Sequence, residues 1–278
     1  MTDQLLHALP VSTLVLGACG GAGATTTTLG LANTAAARGG AVVAVDATPA
    51  GGDVAERGAD AVLSVSGLEQ LVAAGPVADD VFDGYCSRTS AGTRILSRIG
   101  NRTASDGEFH TLTESLRARG VSAVHDLGHR LRAAYLAPLL ATPSPIVLVV
   151  PCRADAFNRL RSGLQSIGNT LGEPGLARTV VTVSNQDATG WQVDVDLLRE
   201  YLGGQVWGVE TIPYDEHLGM GIVIDHSRLG PDTRAAYDRG VRGGVGRGRR
   251  SSGTGLKSRP LTYIRPRFSQ LHPQLQRV

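Results

Sequence analysis

Lysine is almost missing from this chain. Of 27 basic residues in 278, one is lysine, Lys257. Any mechanism that needs a lysine amine earlier in the chain is therefore excluded. The three cysteines, Cys19, Cys86 and Cys152, are odd in number and far apart. They form neither a disulfide framework nor a zinc spacing, which suits a reducing cytoplasm. No run of 18 apolar residues occurs, so no transmembrane helix is expected. Leu16-Gly17-Ala18-Cys19 resembles a lipoprotein cleavage site, but the basic start of a secretory signal is lacking. Asp3 and His7 are the only Asp, Glu, His, Lys or Arg side chains before Arg38. Acidic residues are absent from Arg239 onward, where ten basic residues fall. The first 238 residues hold 17 basic against 25 acidic side chains, a formal −8. The chain reads as an acidic globule with a basic tail. Apolar residues at 42% exclude a wholly disordered chain, and the length supports a sizeable core.

Apolar runs and helical periods alternate along the globule. Strands are expected at Ser12–Gly17, Ala41–Asp46, Thr93–Ser97, Val121–Asp126, Pro145–Val150, Thr179–Ser184 and Val206–Val209. Helices are expected at Ala24–Arg38, Leu68–Ala74, Glu108–Arg119, Leu131–Ala141, Ala156–Leu171, Val195–Leu202 and Pro231–Arg239. Uninterrupted apolar strands alternating with helices predict an α/β fold. Its sheet is doubly wound and mostly parallel, with helices on both faces. The expected division is one domain over 1–239 and a flexible Gly/Arg/Pro-rich tail over 240–278.

Between the first strand and first helix lies Gly17-Ala18-Cys19-Gly20-Gly21-Ala22-Gly23-Ala24-Thr25-Thr26. Glycines let backbone amides approach a phosphate, and the helix start adds positive partial charge. A phosphate-binding P-loop places lysine after its last glycine and then Ser or Thr for magnesium. Ala24 takes the lysine place and Thr25 keeps the hydroxyl. A dinucleotide turn is a second reading, with Asp46 placed for a ribose. A tight turn without ligand is a third. Against an NAD(P)-dependent reductase, no tyrosine is followed four positions later by lysine.

The segment Cys19–Thr26 resembles the deviant Walker A motif of the MinD/ParA superfamily, Lys-Gly-Gly-x-Gly-Lys-Thr-Thr, with Cys19 and Ala24 at the two lysine positions. Further matches follow in order over about residues 12–238. Asp46-Ala47-Thr48 resembles the superfamily's Asp-x-Asp with the second acid replaced. Asp126-Leu127-Gly128 resembles its third motif, Asn185 matches the base-contacting position, and Ile212-Pro213-Tyr214-Asp215 resembles a late segment. The chain is most similar to the lysine-poor CpaE/TadZ-like and actinobacterial septum-site-determining branch, which shares the Asp-x-x-Pro-x-Gly-Gly segment Asp46–Gly52.

The resemblance implies a site for ATP or ADP formed by Gly20, Gly21, Gly23, Ala24, Thr25, Thr26 and Asn185. It implies magnesium at Thr25, Asp46 and Asp126, the two acids being also the candidate catalytic groups. Without both lysines hydrolysis is expected to be slow or absent. The implied function is a spatial-organisation or assembly factor that recruits partners rather than an efficient ATPase. The alternatives are an active partitioning or septum-site ATPase, an NAD(P)-binding Rossmann protein, and a scaffold that needs no cofactor. A homodimer is implied. The tail residues Arg242, Arg247, Arg249, Arg250, Lys257 and Arg259 are candidate contacts to DNA or an anionic membrane, so the cytoplasmic protein would associate with nucleoid or membrane. His125-Asp-Leu-Gly-His129 echoes a zinc-protease motif. That motif needs both histidines on one helix face, and here a strand and a glycine intervene.

Overall fold

The structure, a computed structural model, describes residues 12–49, 52–63, 66–99, 108–130 and 136–243. The strands are β1 (Ser12–Gly17), β2 (Val42–Asp46), β3 (Ser87–Arg88), β4 (Arg94–Leu96), β5 (Ser122–Asp126), β6 (Ile146–Pro151), β7 (Thr179–Ser184) and β8 (Gly208–Ile212). The helices are α1 (Ala24–Ala37), α2 (Val54–Gly58), α3 (Gly67–Ala74), α4 (Asp79–Asp83), α5 (Glu108–Ala118), α6 (Ala137–Leu140), α7 (Ala154–Ala177), α8 (Val195–Leu202), α9 (Glu216–Gly219) and α10 (Pro231–Gly243). One sheet runs β3-β4-β2-β5-β1-β6-β7-β8, parallel except for the β3–β4 pair. This is the α/β fold expected from the alternating pattern.

Successive side chains on a strand point to opposite faces, so each continuous apolar run feeds two cores. Leu14, Leu16, Val43, Val45, Leu148 and Val150 lie in one core with residues of α3, α5, α6, α7 and α8. Val15, Val42, Ala44, Val147 and Val149 lie in the other, with α1, α2 and α10. Every residue of β1, β2 and β6 is buried.

α1 has four consecutive threonines but no charged residue, and Thr27–Ala35 are all buried. Burial on several sides, rather than intrinsic propensity, holds it helical. Its near neighbour is α10. Tyr237 of α10 lies fully buried against Gly30, where a Cβ would overlap the phenol ring. Val241 is buried in the same core. That packing carries α10 to Gly243, beyond the expected end at Arg239. Arg242 is helical and exposed, and pairs with Asp238 at 3.0 Å. Arg247, Arg249, Arg250, Lys257 and Arg259 lie outside the described residues.

Other bounds also differ. β8 begins at Gly208 rather than Val206, whose side chain is buried in the turn after α8. α7 continues to Ala177, although Gly172 is non-helical (φ 65°, ψ −163°). Of the helix expected at Leu131–Ala141, Ala137–Leu140 is helical, and residues 131–135 lie outside the described residues. No helix among the described residues is long and apolar enough to cross a membrane.

Candidate functional site

Parallel strands deliver their C-terminal ends to one edge of the sheet, where ligands of open α/β folds bind. β1, β2 and β5 end there side by side, with Asp46 directly opposite Asp126 in register. The glycine-rich turn closes over the same edge. It is tied down at its base by Gly17 N–H donating to the Gly128 carbonyl (2.7 Å) and Ala18 N–H donating to that of Val149 (2.8 Å).

Gly23 is the residue before α1 and has φ 95°, ψ 25°. Only glycine adopts that conformation at little cost, and it turns the chain directly into the helix. No side chain caps α1, and no acidic residue stands in its first turn. The first amides of a helix lack intrahelical partners. Those of Ala24, Thr25 and Thr26 are thus available to an anion, reinforced by the helix dipole. Gly20 and Gly21 are exposed and Gly23 partly exposed on this turn. A side chain at Gly23 would meet Gln186 Nε2 and Ser184 Oγ, each at 3.6 Å.

Thr25 Oγ1 donates to Asp126 Oδ2 at 2.6 Å, and Gly128 N–H donates to Asp126 Oδ1 at 2.9 Å. Asp46 receives the amide (3.0 Å) and hydroxyl (2.7 Å) of Thr48 on Oδ1 and the amide of Gly52 (2.6 Å) on Oδ2. Thr48, at the place of a second motif acid, instead closes a hydrogen-bonded turn around Asp46. Arg98, buried, donates to the Thr48 carbonyl. Burial pushes the Asp126 carboxyl up to about 6. The hydrogen bonds from Thr25 and Gly128 oppose this, whereas the nearby charges of Asp46 and Asp53 add to it. Burial raises Asp46 too, against the bonds from Thr48 and Gly52 and the attraction of Arg98.

Thr25, Asp46 and Asp126, for which the resemblance implies magnesium, thus lie together at the strand ends. Hydroxyl and carboxylate oxygens suit magnesium, and Asp46 Oδ2 and both oxygens of Asp126 accept one hydrogen bond each and retain a lone pair. These residues fit such an ion. When bound it would supply positive charge to a phosphate chain.

Asn185 directly follows β7 and is buried. Its Oδ1 accepts the Asp187 amide at 3.1 Å. The next residue, Gln186, was not singled out from the sequence, yet its Nε2 donates to the Gly21 carbonyl at 2.9 Å and braces the turn. Asp215 of the Ile-Pro-Tyr-Asp segment starts α9, accepting the amides of His217 (3.0 Å) and Gly230 (2.8 Å). Its role is to shape that loop. His125 and His129 part company. His125 is fully buried in β5 between Ser12 Oγ (3.3 Å) and Thr113 Oγ1 (3.2 Å), and burial lowers it to about 4. His129 is exposed on the loop beyond.

No family model matches the sequence. No curated protein is significantly similar to it. Solved structures do match. A ParA family ATPase from Chlorobium tepidum TLS superposes with a TM-score of 0.65 at 13% identity, over 83% of this chain and 96% of that one. The cell division ATPase MinD of Pyrococcus furiosus gives 0.58 at 17% identity, over 83% and 96%. Cobyrinic acid a,c-diamide synthase from Mycobacterium smegmatis, with bound ATP analog and magnesium, gives 0.52 at 18%, over 83% and 92%. At such identities the likeness is one of fold. The chain has the fold of the ParA and MinD ATPases.

Proposed function

We propose that this protein binds ATP or ADP with magnesium in the glycine-rich turn and acts by recruiting partners, with little or no hydrolysis. The observation that carries this reading is the uncapped N-terminus of α1, opened by Gly23 beside the Thr25–Asp126 pair, with alanine at position 24. Backbone amides and magnesium suffice to hold a phosphate chain. A lysine that offsets charge growing in the transition state is a different element, and its loss weighs on rate more than on binding. The bound analog and magnesium in the synthase of like fold support the ligand class.

On this reading Thr25 orients the ion with Asp126, Asp46 sets the neighbouring loop, and Asn185 presents its carboxamide to the base. The working form is a homodimer of the CpaE-like, spatial-organisation kind, and the basic C-terminal arm contacts DNA or an anionic membrane. Phosphate release from ATP with magnesium tests the catalytic half. The expected rate equals the background and is unchanged by Thr25→Ala. A robust rate abolished by that substitution would sink the proposal.

A further inference from the structure

The electrostatics of the cradle pose a problem that the glycine turn does not solve. A triphosphate must approach Asp126 and Asp46, with Asp53 close enough to repel Asp126. Neither position 19 nor 24 offers a cation. Backbone dipoles carry about half a charge at a helix start. A magnesium ion held by Thr25 and Asp126 would offset only part of the charge of the carboxylates and the ligand.

The cations of the neighbouring loops are mostly committed. Arg98 is buried on the Thr48 carbonyl, with Glu69 at 3.8 Å. Arg153, before α7, pairs with Asp155 at 3.3 Å. His129 differs. Its loop is stapled to the base of the glycine turn, because Gly17 donates to the carbonyl of Gly128, one residue earlier. Its ring lies over the turn itself: Cε1 stands 3.9 Å from the place of a Cβ on Gly20. The side chain is exposed and has no hydrogen-bond or ion-pair partner among the described residues.

We infer that His129 supplies the side-chain phosphate contact missing from the turn, so that the donor comes from the loop after β5 rather than from the turn. The inference rests on the nucleotide reading above. The absence of a side chain at Gly20 leaves the imidazole room to meet a phosphate lying on the turn. Arg130, exposed and next in the chain, adds positive potential to the same loop. A donor placed this way holds the ligand from the loop that carries Asp126, so ligand binding and the position of that loop are linked.

The test is equilibrium titration of the full chain with ATP and magnesium, comparing wild type, His129→Ala and His129→Lys, with thermal melts of the apo proteins alongside. Loss of a side-chain hydrogen bond to phosphate predicts roughly tenfold weaker binding by His129→Ala. His129→Lys should stay within about threefold of wild type, because it keeps a donor to phosphate on a longer stem. The melts should coincide, since the side chain is exposed and unpartnered. Equal ATP affinity in wild type and His129→Ala would overturn the inference while leaving the nucleotide reading intact. So would a His129→Lys variant as weak as His129→Ala. If wild type itself fails to bind, the nucleotide reading falls and the inference falls with it.

Discussion

Replacing Asp126 by asparagine should make the ligand-free protein more stable at neutral pH and less stable in acid. The carboxyl lies at the end of β5, fully buried, with its ionisation pushed from 3.8 up to about 6. Between those values the native state holds a proton that the unfolded chain has released. Stability therefore falls as pH rises through this window, and the full cost is present above about 6. A shift of about two units corresponds to roughly 3 kcal/mol of destabilisation by the ionised group. Asparagine removes that cost but has one acceptor oxygen for two donors, Thr25 Oγ1 and the Gly128 amide. Losing one hydrogen bond costs about 1 kcal/mol. The net gain at pH 7.5 is about 2 kcal/mol, or about 4–8 °C in melting temperature for a domain of this size. At pH 4, where aspartic acid is protonated in the native state, the variant should be the less stable by about 1 kcal/mol. Wild-type curves alone conceal the effect. Next to it in β5, His125 is lowered from 6.5 to about 4, and its slope has the opposite sign. The comparison must be between variant and wild type at each pH, by urea or thermal melts without magnesium. Equal destabilisation of the variant at both pH values would refute the reasoning.

Two further outcomes are expected. Gly30→Ala favours the helix by propensity, yet should destabilise by about 1–3 kcal/mol because its methyl invades the Tyr237 ring; urea midpoints measure this, and Gly30→Ala with Tyr237→Leu should recover part of the loss. A chain ending at Gly243 should lose salt-sensitive binding to duplex DNA or anionic vesicles that the full chain shows at low salt, as counterion release requires; equal binding by both would place the contact on the globule.

Where burial is continuous, the sequence pattern and the structure agree closely. β1, β7 and α8 have the expected ends, because an apolar run bounded by a turn or a strong helical stripe has one way to be buried. β8 illustrates the opposite case. It is an edge strand whose Gly208–Thr211 are half-buried, and its Glu210 and Thr211 read as loop beside the more apolar Val206-Trp207. α2 and α4, of five residues each, are too short to establish a period, and tertiary contact forms them. The end of α10 depends on Val241 meeting the α1 core, a contact across some two hundred residues. At the site, the glycine turn with Gly23 and Thr25 was legible from its spacing, whereas Asp126 entered through the resemblance of Asp126-Leu127-Gly128 to a family motif. The brace from Gln186 to Gly21 and the approach of His129 to Gly20 were not. Both arise from strand order, which sets β7 two places from β1 and β5 beside it.

Whether nucleotide is held without being turned over is read most directly by incubating the full chain with ATP and magnesium for hours, separating protein from free ligand, and identifying what stays bound. Intact ATP at a fixed ratio to protein, lost in Gly23→Ala, where the left-handed turn is strained, is the predicted result. Recovery of ADP with a matching release of phosphate, or of no nucleotide at all, would contradict it.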